Sequence, residues 1–268
     1  MKTIFITGSS NGIGKAAAKL FQREGWNVVA TMRNPGKETE LSKLENVTIL
    51  PLDVTNSEQI KSTVKKALTL GAIDVVLNNA GISLFGPMEA MSEEQIMRQI
   101  NTNLLGTIRV TQDFIPHFRE KKSGLFINIT SIAGLMAHPF SNMYHATKWG
   151  IEGWSESLSI ELAMFNLGVK IVEPSGTSTN FFDQSPANIA SHPAYDPTVK
   201  KMLANIQLNT TPEQIADVIY EAATDGKDQL RYLAGENAIK AYNRRLEIGL
   251  EAYRKEVKDW FLGLQSAK

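Results

Sequence analysis

The chain has no cysteine. No disulfide framework, thiolate nucleophile or thiolate metal site can be built from it, and a reducing compartment, the cytoplasm, is the expected setting. Neither sign of charge is in excess: Lys plus Arg and Asp plus Glu both number 28. A weak long-range field argues against nucleic acid or an anionic membrane surface and for a small-molecule partner. Long hydrophobic runs are missing too. The N-terminus MKTIFITGSS offers only Ile4 to Ile6 before turning polar, too little for a signal-peptide core, and no run reaches the length of a membrane span. Histidine is scarce, and His117, His138, His145 and His192 show no metal-ligand spacing, so no metal is expected.

What is present is a core's worth of apolar residues, 43% of 268, enough for one large domain spanning 1–268. Short β-branched runs at 3–7, 27–31, 47–50, 74–78, 125–130 and 169–174 read as strands. Between them, helical patterns occupy 14–25, 57–70, 93–119 and 143–166, with Asn56 or Ser57 as the cap of the second. Such alternation predicts an α/β fold, a doubly wound parallel sheet in three layers, with ligand chemistry just beyond the carboxyl ends of the strands. The irregular stretch from 177, with Pro186, Pro193, Pro197 and two adjacent phenylalanines, is expected to form a substrate lid over 177–206. Residues 236–262, ending near Trp260, mix charged and apolar residues at helical spacing and predict a helical extension docked on the body or on a partner subunit.

TGSSNGIG, residues 7–14, follows the first strand and opens the first helix. Gly8 permits a sharp turn, Gly12 lets the backbone approach a pyrophosphate, Gly14 lets the helix pack closely on the sheet, and the helix N-terminus supplies donors to the anion. In that context the loop predicts a Rossmann-type dinucleotide site, with Ser10, Asn11 and Ile13 also along the cofactor. The second strand ends ATMRN, with Arg33 where an NAD enzyme usually carries an acid for the ribose hydroxyls. NADP is therefore expected over NAD, Arg33 meeting the ribose phosphate and Ser10 adding a hydroxyl.

YHATK places Tyr144 and Lys148 four residues apart, on one face of a helix. A phenol beside an ammonium ionises more easily, which suits proton exchange with a carbonyl or alcohol. With the glycine loop, these residues resemble the short-chain dehydrogenases/reductases in their single-domain form, from Thr7 to about Gly235. Asp53 and Val54 in LDVT look like the family's adenine contact, NNAG at 78–81 like its sheet-stabilising turn, with Asn79, Ala80 and Gly81 along the cofactor, and NLLG at 103–106 like its helix-borne asparagine. Ser131, in NITSIAG, precedes Tyr144 by thirteen residues, the family's usual spacing. The resemblance implies that Ser131 holds the substrate oxygen, Tyr144 exchanges its proton, Lys148 supports the phenol and the nicotinamide ribose, and Asn103 holds a water in the proton path. It also places Pro174, Thr177 and Thr179 at the nicotinamide. In EPSGTSTNF the family's glycine position carries Ser175, so either this serine is strained or the turn has shifted. ATMRN and LRYLAGENA are most similar to the branch of hydroxysteroid and retinol dehydrogenases and bacterial ketone reductases.

Phe85, Met136, Phe140, Met143, Phe181 and Phe182 flank the expected site and either line a pocket for a bulky hydrophobic ketone or alcohol or simply pack the core. The reading is an NADP-dependent oxidoreductase interconverting a secondary alcohol and a ketone or aldehyde, a homodimer or homotetramer by resemblance. Two rivals stand beside it: a cofactor-sensing regulator of the same fold with little turnover, and an epimerase or dehydratase on a nucleotide-sugar. The second would need a larger substrate domain than the roughly 90 residues after Pro174 provide.

Overall fold

The computed structural model describes residues 1–179, 181 and 187–263. Seven strands form one parallel sheet in the order β3-β2-β1-β4-β5-β6-β7: β1 (Thr3–Ile6), β2 (Asn27–Met32), β3 (Val47–Pro51), β4 (Val75–Asn78), β5 (Gly124–Ile129), β6 (Leu167–Pro174) and β7 (Arg231–Ala234). The strands are largely apolar because both faces are covered, with Asn78, Asn128, Lys170 and Glu173 as buried exceptions. Along β1, Ile4 and Ile6 enter the core on one side and Phe5 the core on the other, as the two-residue period of a strand requires.

Helices α1 (Gly12–Arg23) and α7 (Pro212–Thr224) cover the first face, where Phe21 meets Trp26 and Tyr220 edge-on at 5.0 and 5.2 Å. Helices α2 (Ser57–Leu68), α4 (Gly106–Lys121) and α5 (Asn142–Leu162) cover the second, where Phe5 and Phe114 meet at 4.8 Å. Strand order reverses direction at β1 and β4, so the chain leaving these two strands opens a crevice at their carboxyl ends. Asn56 is the cap of α2, its side chain accepting from the Gln59 amide at 3.0 Å.

Three expectations need correction. The helix predicted over 93–119 is interrupted: α3 (Glu93–Gln99) passes into a π-helical turn, Ile100–Leu105, before α4 begins. Asn103 lies in this turn, and its amide is tied to a neighbouring loop. The extension predicted over 236–262 is two helices, α8 (Glu236–Ile248) and α9 (Leu250–Phe261), broken where Gly249 takes φ +84°. Within the segment expected to be irregular, α6 (Asp196–Ala204) forms with Pro197 in its first turn. No helix among the described residues is long and apolar enough to cross a membrane.

Candidate active site

Helix α5 packs back against the end of β5, the Ile129 carbonyl receiving Lys148 Nζ, which brings the two halves of the expected constellation together. Ser131 follows β5, accepts from the Ala133 amide at 3.1 Å and is hydrogen-bonded to the Tyr144 phenol. Lys148 is buried, with Nζ donating to the Ile129 carbonyl at 2.8 Å and lying 5.6 Å from the centre of the Tyr144 ring. Tyr144 is half-buried and borders a cleft of about 1860 Å³.

The phenol keeps its proton here even with the ammonium nearby. Burial pushes Tyr144 up to about 12 against the opposing pull of Ser131, and pushes Lys148 down to about 8 against the pull of Glu152. Loss of hydration is the cause, and it outweighs what the nearby ammonium offers; Nζ itself donates to a strand-end carbonyl. At neutral pH the phenol carries its proton and the lysine remains largely charged.

Asn103 sits behind the cleft wall. Its Oδ1 accepts from the Ile82 amide and its Nδ2 donates to the Ile82 carbonyl, both at 2.9 Å. The side chain is thus spent on holding the loop after β4. Gln99, fully buried one turn earlier, donates to the Ile82 carbonyl at 3.2 Å, while its Oε1 has no partner among the described residues. Nothing in the sequence singled it out.

Every residue expected along the cofactor borders the same cleft except Gly14. Gly14 lies beneath the loop, where an added Cβ would come within 2.4 Å of both the Gly8 carbonyl and Asn79 Nδ2. The close packing foreseen for it is against the loop and the β4 turn, not the sheet. Gly8 and Gly12 both have positive φ, +70° and +53°. Asn79 Nδ2 donates to the Thr7 and Gly8 carbonyls at 2.9 and 3.0 Å, and the Thr7 hydroxyl accepts from the Asn79 and Ala80 amides. The β1 and β4 turns are therefore one hydrogen-bonded unit.

Arg33 is exposed at the cleft and makes no ion pair among the described residues. The next acids along the chain, Glu38 and Glu40, are bound to Lys15, at 3.3 and 2.7 Å, and Glu40 also to Lys19. Asp53 lies opposite, its Oδ1 accepting from the Thr55 amide and hydroxyl at 2.9 and 2.7 Å.

After β6, Ser175 is buried without positive φ, and its hydroxyl meets that of Thr210 at 2.6 Å. Neither strain nor a left-handed turn is involved. The glycine that follows has its own reason, since a Cβ on Gly176 would fall 2.0 Å from the Gln207 carbonyl. Thr179 reaches back to the glycine loop, its methyl 3.1 Å from where a Cβ on Gly12 would lie.

Of the expected pocket residues, Phe85, Met136 and Phe181 border the cleft. Phe140 instead lines an adjoining groove with Phe261 of α9, their rings 5.7 Å apart. Met143 faces a satellite core with Leu84, Met91 and Ala190 and lines neither space, because α5 turns it away from Tyr144. Phe182 falls outside the described residues. Trp260 and Phe261 border the cleft as well, and the Tyr253 hydroxyl reaches Met136 Sδ at 3.4 Å, so α9 contributes a wall that no pattern foretold. His145, singled out only as a neighbour of Tyr144, donates from Nδ1 to the Ala133 carbonyl at 2.7 Å and accepts from the His138 amide through Nε2 at 3.1 Å. The second contact leaves Nε2 unprotonated and fixes the proton on Nδ1.

Beneath the site, Glu173 is fully buried, and neither oxygen has a hydrogen-bond partner among the described residues, Arg231 Nε being 3.9 Å from Oε1. Burial, then repulsion from Glu152, pushes its carboxyl up to about 9 from 4.5. A carboxyl raised on folding favours the native state less as pH climbs from 4.5 to 9, since only the unfolded chain gains by ionising. Glu173→Gln is therefore expected to stabilise the protein by on the order of 3 kcal/mol at pH 7, with little effect below pH 4.5. Urea denaturation at pH 5, 7 and 8 checks this: a gain that does not grow with pH contradicts a neutral Glu173.

A family model described as short chain dehydrogenase matches residues 2–190. An uncharacterized oxidoreductase of Schizosaccharomyces pombe is 39% identical over 235 residues, covering 84% of this chain and 99% of the relative. Among solved structures, a short-chain dehydrogenase from Streptomyces avermitilis matches with a TM-score of 0.85 at 29% identity, covering 99% of both chains. ElxO with NADP bound matches with a TM-score of 0.76 at 27% identity, covering 89% of this chain and 99% of that one.

Proposed function

The chain belongs to the short-chain dehydrogenase family and is an NAD(P)-dependent oxidoreductase acting on CH–OH groups, and on that premise we propose that it reduces a hydrophobic ketone or aldehyde, or oxidises the matching alcohol, with NADP(H). The observation that carries the reading is the convergence of Ser131, Tyr144 and Lys148 on the cleft that the glycine loop borders.

The cleft fits a dinucleotide. Its floor at Gly8, and Gly14 beneath that loop, approach their neighbours so closely that no side chain is tolerated, which leaves main-chain donors at the start of α1 for a pyrophosphate. The glycine loop, Asp53 and the β4 turn would hold the adenosine half, and Lys148, Pro174, Thr177 and Thr179 the nicotinamide half. When bound, the cofactor supplies or accepts the hydride. Tyr144 gives its proton to the substrate oxygen in reduction and takes it back in oxidation. Ser131 donates to the same oxygen and steadies its developing charge. Lys148 keeps a positive charge behind the phenol so that phenolate is tolerated as the proton leaves. Asn103 would hold a water that passes the proton from Lys148 to solvent, and because its side-chain amide is taken up by Ile82, its main chain would have to make that contact.

Arg33 supports NADP over NAD: it is exposed at the cleft, and the acids beyond β2 are held by lysines. Arg33→Asp is expected to raise the KM for NADPH by about 100-fold, the loss of a charge-assisted phosphate contact and its replacement by a repulsive one, while improving use of NADH. An unchanged ratio of kcat/KM between the two coenzymes removes Arg33 from the phosphate.

Phe85, Met136, Phe181 and the α9 side chains Trp260 and Phe261 support an apolar substrate, with the 187–206 segment and α9 as its cover. A homo-oligomer fits the apolar side chains left exposed on and after α5, Ile160, Met164 and Phe165. The test is a screen over steroids, retinoids, aryl ketones and sugars following NADPH absorbance. Tight NADPH binding without turnover of any carbonyl would favour a cofactor-sensing role instead.

A further inference from the structure

The last four residues around the end of β5 meet α5 at successive turns. Ser131 bonds the Tyr144 phenol, the Ile129 carbonyl receives Lys148 Nζ, and the Thr130 hydroxyl donates to Glu152 Oε1 at 2.6 Å. One strand residue earlier, Asn128 Nδ2 donates to Ser155 Oγ at 2.9 Å. Tyr144, Lys148 and Glu152 are spaced by four residues, so they form one stripe of the helix. Glu152 is the third member of that stripe, and the reaction as described above does not use it.

Its surroundings are unusual for a surface-helix acid. Glu152 is 5% exposed, its Oε2 is 3.0 Å from Arg231 Nε on β7, and its side chain packs where a Cβ on Gly134 would lie, 3.0 Å from Glu152 Cγ. The charged and titratable groups around it are Lys148 and Glu156 from α5, Glu173 from β6 and Arg231 from β7; β5 contributes the uncharged Thr130. Glu173 has no hydrogen-bond partner among the described residues and meets Arg231 Nε only at 3.9 Å, whereas Glu152, although burial raises its carboxyl too, has two close donors in Thr130 and Arg231, so the anion is placed on Glu152. Arg231 in turn divides its guanidinium between Glu152 and Glu156, the latter at 2.7 Å.

We infer that Glu152 is a positioning residue for Tyr144 and Lys148: through Thr130 and Arg231 it fixes the register of α5 against the end of β5, and its charge keeps the Lys148 ammonium protonated behind the phenol. Two consequences separate these duties. Charge acts on Lys148 through space and vanishes in Glu152→Gln, which can still accept from Thr130. The tether acts on geometry and is lost in Thr130→Val, which leaves the charge in place. An acid whose only duty was to pair with Arg231 would change stability in both variants and the titration of Lys148 in neither.

The inference rests on the roles proposed for Tyr144 and Lys148, so its test needs a readout besides turnover. The titration of Lys148 is followed by NMR of ¹³C-labelled lysine, assigned by loss of the signal in Lys148→Met, alongside the pH profile of kcat for carbonyl reduction. Glu152→Gln is expected to move the lysine titration, and with it the alkaline limb of kcat, about one pH unit toward acid. Glu152→Asp, which keeps the charge, is expected to restore the limb. Thr130→Val is expected to lower kcat about tenfold at every pH with the limb unmoved. A Lys148 titration unchanged in a folded Glu152→Gln protein overturns the electrostatic role, and full kcat in Thr130→Val overturns the tether. If the titration moves but the wild-type protein turns over no carbonyl, the proposed reaction fails and the coupling of Glu152 to Lys148 stands.

Discussion

Tyr144→Phe is expected to reduce turnover by about 1000-fold or more while leaving NADPH affinity within about twofold of wild type. The substitution removes one oxygen and leaves the ring, so the packing on Phe181, at 5.7 Å between centres, and the face presented to Lys148 are kept. What disappears is the one acid placed to protonate a substrate oxygen held by Ser131. Burial keeps that phenol protonated well past neutrality, up to about 12, so in the reductive direction the donor form is already the populated one. In the oxidative direction the phenol must first lose its proton, so alcohol oxidation is expected to rise with pH across the neutral range while carbonyl reduction does not. Lys148, pushed down to about 8, limits both from the alkaline side as it loses its charge. Steady-state rates by NADPH absorbance and affinity by calorimetric titration separate these effects. Activity within tenfold of wild type would mean that the proton comes from another group.

What the sequence made legible was encoded in contiguous stretches. The strands announce themselves because a sheet covered on both faces demands apolar residues at most positions, and the glycine loop because three glycines at fixed spacing have a clear physical use between a strand and a helix. Tyr144 and Lys148 are legible from helical periodicity alone. The π turn at Ile100–Leu105 is not, because widening a helix by one residue leaves no mark on the apolar pattern; its cause is the grip of Asn103 on Ile82, 21 residues away. β7 escaped as a strand because it is four residues long and stands at the sheet edge, paired with Ile171–Pro174. The sense of the Tyr144 shift was misjudged for a similar reason. Sequence places the ammonium near the phenol, but only the fold shows how far the phenol is taken out of water, and that loss of hydration is what raises it. Met143 went to a satellite core and α9 came over the cleft through tertiary packing, which no local spacing encodes.

Gly14→Ala is expected to weaken NADPH binding by at least about 100-fold and to destabilise the fold by about 1–3 kcal/mol. Local propensity predicts the opposite, since alanine within a helix is favoured over glycine by about 1 kcal/mol. Gly14 has no positive φ, so backbone strain plays no part and the outcome is decided by space alone. The methyl group would lie 2.4 Å from the Gly8 carbonyl and 2.4 Å from Asn79 Nδ2. Neither neighbour can yield cheaply. Gly8 is fixed at φ +70° against Ala80, and Asn79 Nδ2 is the donor that joins the β1 and β4 turns. Relief of the overlap must therefore push the loop outward or break that joint, and either movement displaces the main-chain donors that would face the pyrophosphate. Gly153→Ala supplies the control: it too lies within a helix, has nothing within 4 Å of the added methyl, and is expected to stabilise by up to about 1 kcal/mol with NADPH affinity intact. Thermal melts and NADPH titration of the two variants decide the matter; if Gly14→Ala behaves like Gly153→Ala, the close contact beneath the loop is not what shapes the nucleotide cradle.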